Sequence, residues 1–356
     1  MTDSRPGARR AVTPMLPQAF SDPLIQRLPR RHITLGLGTL LMLPASHAQT
    51  PPPAPMRRIG LLEYGSRPSL RDSGRYEALL QGLQAVGLVE GRTLTLEERY
   101  ADGDAQKLDA LAAELVRLNV DVILSSGTPS HQAAQRATRS LPVVVLADAD
   151  PVANGLAASL AHPGGNLTGM STSAADLAQK LLELLRQALP RLPRVAVLTN
   201  PGNSSHPPMV QGIQAAAARG GPQVLALPAR TAEDIERVLP RMAREGAGAV
   251  IVLIDGYFFA QRRQIAELAL RHRLPSISSN TGYVAAGGLM SYGADIVDNF
   301  RRAGGFVQRI LQGARPADMP FEQPTRLALE INRRTGAALG LKLPQALLLR
   351  ADKVLE

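Results

Sequence analysis

The chain has 356 residues, and 45% of them are hydrophobic, so we expect two lobes of roughly 120 to 150 residues each. It contains no cysteine, which excludes disulfides, thiolate zinc sites and cysteine nucleophiles. Without the first 48 residues, the net charge falls from +10 to +6, with 34 Lys and Arg against 28 Asp and Glu. These charges are scattered along the chain, which indicates a solvated surface, and we expect no nucleic-acid partner.

The N-terminus has the pattern of an export signal. Arg27, Arg30 and Arg31 precede an uncharged apolar run of eleven residues at 33–43, and small residues then lead to a cleavage site near Ala48. This predicts a signal peptide over residues 1–48, resembling a twin-arginine signal, with general secretion as the alternative. The run is shorter than the roughly 20 residues that span a bilayer, so we expect no membrane insertion of the mature chain. A Pro-rich tether at 49–56 then leads into a periplasmic protein.

The first half of the mature chain alternates strands and helices. Apolar runs predict strands at 58–62, 93–100, 120–124 and 142–146. Apolar residues at helical spacing from Tyr76 and from Leu108 predict two helices, and a third is expected at 130–139. The glycine-rich stretch 154–171 ends this pattern, and we place a crossing between lobes near residues 167–171.

The second half repeats the alternation. Strands are predicted at 194–198, 223–227, 249–254 and 274–277, with helices at 174–189, 206–219, 231–244 and from Asp255 to His272. Thr231 to Asp234 has the capping-box pattern. A strand at 287–293 is expected to return to the first lobe, followed by helix 295–312, strand 326–331 and helix 333–339.

This alternation predicts an α/β fold with two doubly wound parallel-sheet lobes joined by a multi-strand hinge. The first lobe is expected to contain residues 57–167 and 294–325, and the second residues 168–293. The segment 326–356 is expected to pack at the hinge.

The loop between the strand at 120–124 and the following helix is the strongest candidate for a binding site. Thr128 has the sequence context of an N-cap, with Pro129 in the first helical turn. Backbone N–H groups and the hydroxyls of Ser126 and Thr128, together with Gly127, then offer a seat for a carboxylate or phosphate. Parallel sheets bind ligands at the carboxyl ends of their strands, so we expect these groups to share a cleft with Asp148 and Asp255. Either aspartate is a candidate partner for an ammonium group.

Several of these residues have other interpretations. Four of the six tyrosines, Tyr64, Tyr257, Tyr283 and Tyr292, fall on predicted cleft loops or strand ends, which favours stacking on a ligand. Tyr292 could equally pack in the hinge. Asp255 could simply cap the next helix.

Enzyme and metal sites have little support in the sequence. His131 invites a Ser/His/Asp triad with Ser126 and Asp148, but the chain has no GxSxG elbow, and we expect His131 on a helix surface. The histidines lack the spacing of metal ligands, and no dinucleotide fingerprint follows a strand. We therefore expect no catalytic residue, metal or cofactor.

Several segments, in order along the chain, resemble the ABC-transporter substrate-binding protein family of the tryptophan/tyrosine type. They include LAAELVRLNVDVILSSGTPS, DADPVANGLAASLAHPGGNLTGMS, RVAVLTNPGN, AAGGLMSYG and RADKVLE, and the resemblance covers about residues 57–356. It implies a type I periplasmic-binding fold, an ABC permease with its ATPase as partner, and no catalysis. It also implies these ligand-binding positions: Gly127, Thr128 and Pro129 for a carboxylate, Asp148, Asp150, Asn200, Ser291 and Tyr292 nearby, and Asp255 for an ammonium.

The sequence thus predicts the monomeric, extracytoplasmic solute-binding component of an ABC importer. Its ligand is expected to be a small polar or zwitterionic solute, with amino acids among the candidates. The alternatives are a secreted α/β enzyme and a ligand-sensing receptor for a membrane signalling protein.

Overall fold

The computed structural model describes residues 56–356, apart from the side chains of Ala175 and Asp176. The predicted signal peptide and all but the last residue of the predicted tether lie outside these residues. In this part of the chain, no helix combines the length and the apolar character needed to cross a membrane.

The first sheet has five parallel strands. They are β1 (Arg57–Glu63), β2 (Leu94–Tyr100), β3 (Val122–Ser126), β4 (Val143–Asp148) and β5 (Leu167–Ser171), in the order β2-β1-β3-β4-β5. The helices of this part are α1 (Arg67–Asp72), α2 (Arg75–Ala85), α3 (Leu108–Arg117) and α4 (Thr128–Ala137). The central strands β3 and β4 are almost completely buried, as expected for a parallel sheet that is covered on both faces.

The second sheet has seven strands. They are β6 (Arg194–Thr199), β7 (Gln223–Pro228), β8 (Val250–Val252), β9 (Ser276–Ser278), β10 (Met290–Ala294), β11 (Leu327–Asn332) and β12 (Lys353–Leu355). Their order is β12-β11-β10-β9-β8-β6-β7, parallel except that β11 is antiparallel to β10.

Eight further helices complete the chain. They are α5 (Ala174–Ala188), α6 (His206–Ala217), α7 (Ala232–Arg244), α8 (Gly256–Ala260), α9 (Arg262–Arg271), α10 (Ile296–Leu311), α11 (Arg333–Ala338) and α12 (Gln345–Leu349). The capping box at the start of α7 is confirmed, because Thr231 and Asp234 each accept a hydrogen bond from the other's backbone N–H.

Two α/β lobes result, as predicted. The first lobe, as defined by the structure, contains the first sheet with α1–α4 and α10, whose Phe300, Phe306 and Val307 pack into its core. The second lobe contains the second sheet with the remaining helices. The chain passes between the lobes after β5, after β10 and again before β11.

The expected lobe assignment of two segments is wrong. The strand at 287–293 pairs within the second sheet, Met290 with Ile277 of β9 and with Ile331 of β11, and the chain returns to the first lobe with α10. However, β5, expected to open the second lobe, pairs with β4 in the first sheet. The segment 326–356, expected to pack at the hinge, supplies β11 and β12 to the edge of the second sheet. Apolar runs identify strands, but their partners depend on long-range pairing.

Helices α2 and α10 meet at backbone distance. A Cβ atom at Gly304 of α10 would overlap the carbonyl group of Gly82 in α2 and would lie 3.0 Å from the backbone nitrogen of Leu83. Glycine at these two positions therefore allows α10 to pack closely against the first lobe.

Candidate functional site

A cavity of about 60 Å³ lies between the two lobes, at the carboxyl ends of their strands. The first lobe contributes Ser126, Gly127 and Thr128, at the junction of β3 and α4, and the second contributes Asn203 and Asp255. Apolar side chains from both lobes complete the wall: Ile254, Phe259, Ile296 and Phe300. We call this space the inner cavity. The inner cavity therefore brings together four of the predicted site residues: Ser126, Gly127, Thr128 and Asp255.

The loop before α4 is shaped by Gly127. Its φ of 91° is in the left-handed region, and an added Cβ atom would lie 2.8 Å from Cβ of Tyr64. Gly127, not Thr128, is the N-cap residue, and α4 begins at Thr128. The predicted cap is wrong because the Thr128 hydroxyl instead donates a hydrogen bond to Oδ2 of Asp148, at 3.0 Å. Pro129 has no N–H, and the N–H groups of Ser130 and His131 both donate to the carbonyl oxygen of Gly127, so it is the positive end of the helix dipole that favours an anion at this position.

Asp148 supports this loop from behind the cavity wall. It is buried, and besides Thr128 it accepts hydrogen bonds from the Asp150 N–H at 2.9 Å and from Nδ2 of Asn154 at 2.8 Å. Its neighbours Ala147 and Ala149, rather than Asp148 itself, line the inner cavity. Asp148 therefore positions Thr128.

Asp255 both caps a helix and lines the inner cavity. Its Oδ1 accepts hydrogen bonds from the N–H groups of Tyr257 at 2.8 Å and Phe258 at 3.1 Å, at the start of α8. Its Oδ2 accepts from Nδ2 of Asn203 at 2.9 Å and of Asn200 at 3.2 Å. The carboxylate thus brings negative charge to the wall, while the usual acceptor positions of both oxygens are already used.

Asn200 and Tyr64 link the lobes beside this network. Nδ2 of Asn200 donates to the hydroxyl oxygen of Tyr64 across the cleft at 3.4 Å. Burial, and then the charge of Asp255, raise the pKa of Tyr64 to about 12, so its hydroxyl is neutral at physiological pH. With Tyr257, both residues line a separate cavity of about 400 Å³.

The other two tyrosines that the sequence placed at the cleft lie elsewhere. Tyr292 is half-buried on β10, opposite Leu329, and packs on the core of the second lobe. Tyr283 is buried inside that lobe, among residues of another core cluster.

His131 is buried rather than on a helix surface, because its ring forms hydrogen bonds with Ser125 of β3 and Ala147 of β4. Nε2 lies 3.0 Å from the carbonyl oxygen of Ala147, which can only accept, so Nε2 carries the proton and Nδ1 accepts from the Ser125 hydroxyl at 2.8 Å. Burial lowers the pKa of His131 against the opposing effect of the Asp148 charge. Ser125 is fully buried, so this contact presents no nucleophile to the cavity.

Arg75, at the start of α2, is the main residue that sequence reasoning missed. Only 5% of it is exposed, and its guanidinium lies 4.4 Å from the ring centroid of Phe259 and 5.3 Å from that of Phe300. Burial lowers the pKa of Arg75, and the charge of Glu63 opposes this effect. One signal was present in the sequence, since Arg75 lies four residues before Leu79 and so on the buried face of α2.

A second and larger space adjoins the inner cavity. It has a volume of about 540 Å³ and also contacts Arg75, Phe259 and Ile296. We call it the outer cavity. These three side chains therefore separate the two spaces. Among the residues that the structure describes, no group of three His, Cys, Asp or Glu side chains could hold a metal ion.

Comparisons with known proteins agree on one family. Residues 59–355 match the family model described as ABC transporter substrate binding protein. A tyrosine-binding protein of Clostridioides difficile is 25% identical over 286 residues, covering 80% of this chain and 81% of that protein.

Two solved structures, each 26% identical, are also similar. One is an ABC domain from Streptococcus pneumoniae in complex with L-Trp, with a TM-score of 0.76 over 84% of this chain and 100% of the other. The second is a conserved domain protein of Vibrio cholerae, with a TM-score of 0.78 over 84% of this chain and 99% of the other.

Proposed function

Because the chain belongs to the ABC transporter substrate-binding protein family, we propose that it is the extracytoplasmic receptor of an ABC importer. It would capture a small solute between its lobes and deliver it to a permease that is driven by ATPase subunits. The predicted signal peptide over residues 1–48 supports export to the periplasm.

The observation that carries this proposal is the composition of the inner cavity wall. One side offers the start of α4 with Ser126 and Thr128, and the other offers the negative charge of Asp255. Between them lie the rings of Phe259 and Phe300. Such a wall suits an amino acid, with its carboxylate toward α4, its ammonium toward Asp255 and an apolar side chain on the rings. The tyrosine-binding relative and the L-Trp complex support the same ligand class.

Ligand entry requires the lobes to separate. The inner cavity of about 60 Å³ is far below the roughly 300 Å³ of small ligand sites. Direct hydrogen bonds also join the lobes, from Nε2 of Gln132 to Oγ of Ser204 and from Nδ2 of Asn154 to Oγ of Ser205, both at 3.0 Å. We expect a solute to enter an open form and to replace some of these bonds when the lobes close on it.

A thermal-shift screen of the twenty L-amino acids and small organic carboxylates tests this function. At least one compound should raise the melting temperature, because a ligand at 100 times its Kd stabilises the folded state by about 2.7 kcal/mol. Thr128→Val should weaken this response. Thr95→Val, on β2 and remote from the cavity, is the matched control and should leave it unchanged. Folded protein that responds to none of these compounds would contradict the proposal.

A further inference from the structure

Arg75 is a buried cation that has no anionic partner in the described chain. Its Nε donates to Oγ of Ser73 at 2.8 Å, but no salt bridge and no hydrogen bond from either Nη atom are found in residues 56–356. Glu63 is also buried and its charge raises the pKa of Arg75, but its Oε1 accepts from the Gly65 N–H, its Oε2 has no hydrogen-bond partner among the described residues, and no salt bridge joins it to Arg75. Buried charges in proteins are normally paired, so this arrangement calls for an explanation.

The surroundings of Arg75 fit an anion that arrives with a ligand. The guanidinium stacks on Phe259 from the second lobe and on Phe300 from the first, and it contacts both the inner and the outer cavity. An aromatic ring attracts the cation without accepting a conventional hydrogen bond, so the Nη atoms of Arg75 remain available as donors. The edge of a guanidinium matches the two oxygens of a carboxylate.

We propose that Arg75 forms a bidentate ion pair with the solute carboxylate that faces the start of α4, since both groups line the first-lobe side of the inner cavity, and so restricts the receptor to carboxylic acids. This inference rests on the proposed function and adds its main specificity determinant. Because Phe259 reaches Arg75 from the other lobe, the ion pair is completed when the lobes close. Neutral solutes and amides leave the guanidinium unpaired and are rejected.

Arg262 provides a matched control. It stacks on the same ring, with its guanidinium 4.5 Å from the centroid of Phe259, and it carries the same charge. However, it is only half-buried, it contacts the outer and not the inner cavity, and it donates to the backbone oxygen of Phe259. Removing Arg262 therefore changes the charge near Phe259 without changing the inner cavity.

The test is calorimetric binding of L-tyrosine, L-tryptophan and every other amino acid that stabilises the wild-type protein, each beside its primary amide. Wild type should prefer the acid, and Arg75→Gln should bind the acid about 100-fold more weakly and lose most of the preference. Arg75→Lys should recover only part of the affinity, because an ammonium cannot bind bidentately. Arg262→Gln should bind like wild type.

Ligand-free stability gives a second readout. In a Glu63→Gln background, which leaves no buried carboxylate near it, Arg75→Met replaces an unpaired buried charge by an apolar chain of similar length, so its melting temperature should equal or exceed that of Glu63→Gln alone. A clear fall would mean that Arg75 is satisfied within the protein, and would overturn the inference. Unchanged acid binding by Arg75→Gln would also overturn it while leaving the proposed function intact. No binding by wild type to any amino acid or small carboxylate would overturn both.

Discussion

Two adjacent glycines of α10 should respond in opposite directions to the same substitution. In Gly304→Ala the new methyl group would overlap the backbone carbonyl of Gly82, and backbone can yield only if the helices separate. Overpacking typically costs 1–3 kcal/mol, and we expect about 3 kcal/mol because no flexible side chain can move aside. In Gly305→Ala the methyl group meets nothing within 4 Å, and alanine in a helix interior is favoured over glycine by about 0.5–1 kcal/mol.

Urea unfolding followed by far-ultraviolet circular dichroism measures both effects. Relative to wild type, the midpoint should fall for Gly304→Ala and rise slightly for Gly305→Ala, with a difference of about 4 kcal/mol in the free energy of unfolding. Gly82→Ala, on the other side of the contact, should behave like Gly304→Ala. Equal effects of the two α10 variants would refute the backbone contact between α2 and α10.

Three further predictions concern the site. Gly127→Ala forces a side chain into a left-handed backbone and against Cβ of Tyr64, so ligand affinity should fall about tenfold or more in calorimetry. Gly155→Ala is also left-handed, but its methyl group meets nothing within 4 Å, so it should keep the affinity. Asp255→Ala should lower the free energy of unfolding by about 2–4 kcal/mol, since a helix cap and the acceptor of two amides are lost, whereas Asp255→Asn should cost less. Burial lowers the pKa of His131 and His206, so stability that is complete above pH 6.5 should be lost as the pH falls below it. Urea unfolding should show a loss of up to about 1.4 kcal/mol per histidine at pH 5.5, and a pH-independent midpoint would contradict this.

The fold could be predicted because buried parallel strands appear in the sequence as continuous apolar runs. β4 is an example, with Val143 to Leu146 buried and a polar loop following directly. The placement of β5 failed for the opposite reason. Its five residues, LTGMS, could pair with either sheet, and the choice depends on contacts with β4 that no local pattern contains.

The site was predictable only where it follows strand ends. Gly127, Thr128 and Asp255 lie within three residues of the end of β3 or β8, and the topology brings such positions to one edge of each sheet. Arg75 and Phe300 lie on helices instead, and they reach the cavity through the packing of α2 against α10. Sequence adjacency gives no information about that packing.

A repeated hydrogen-bond pattern explains how the polar loops are held. In the first lobe, His131 donates to the carbonyl oxygen of Ala147, and the next residue, Asp148, accepts from the side chain of Thr128. In the second lobe, His206 and Asn203 correspond to His131 and Thr128, each 75 residues later in the chain. They repeat the pattern, because His206 donates to the carbonyl oxygen of Ile254, and Asp255 accepts from the side chain of Asn203.

Because both lobes contain this pattern, its members are explained by structure rather than by the identity of a solute. Asp255 keeps its negative charge at the cavity wall, but its hydrogen bonds serve the same scaffold as those of Asp148. Selectivity must then come from residues outside the repeat. Several cavity residues have this position, Arg75, Thr172, Asn280, Ile296, Phe259 and Phe300 among them, and of these only Arg75 carries a charge. The choice of a charged solute therefore depends on this guanidinium more than on the aspartates that the sequence brings to attention.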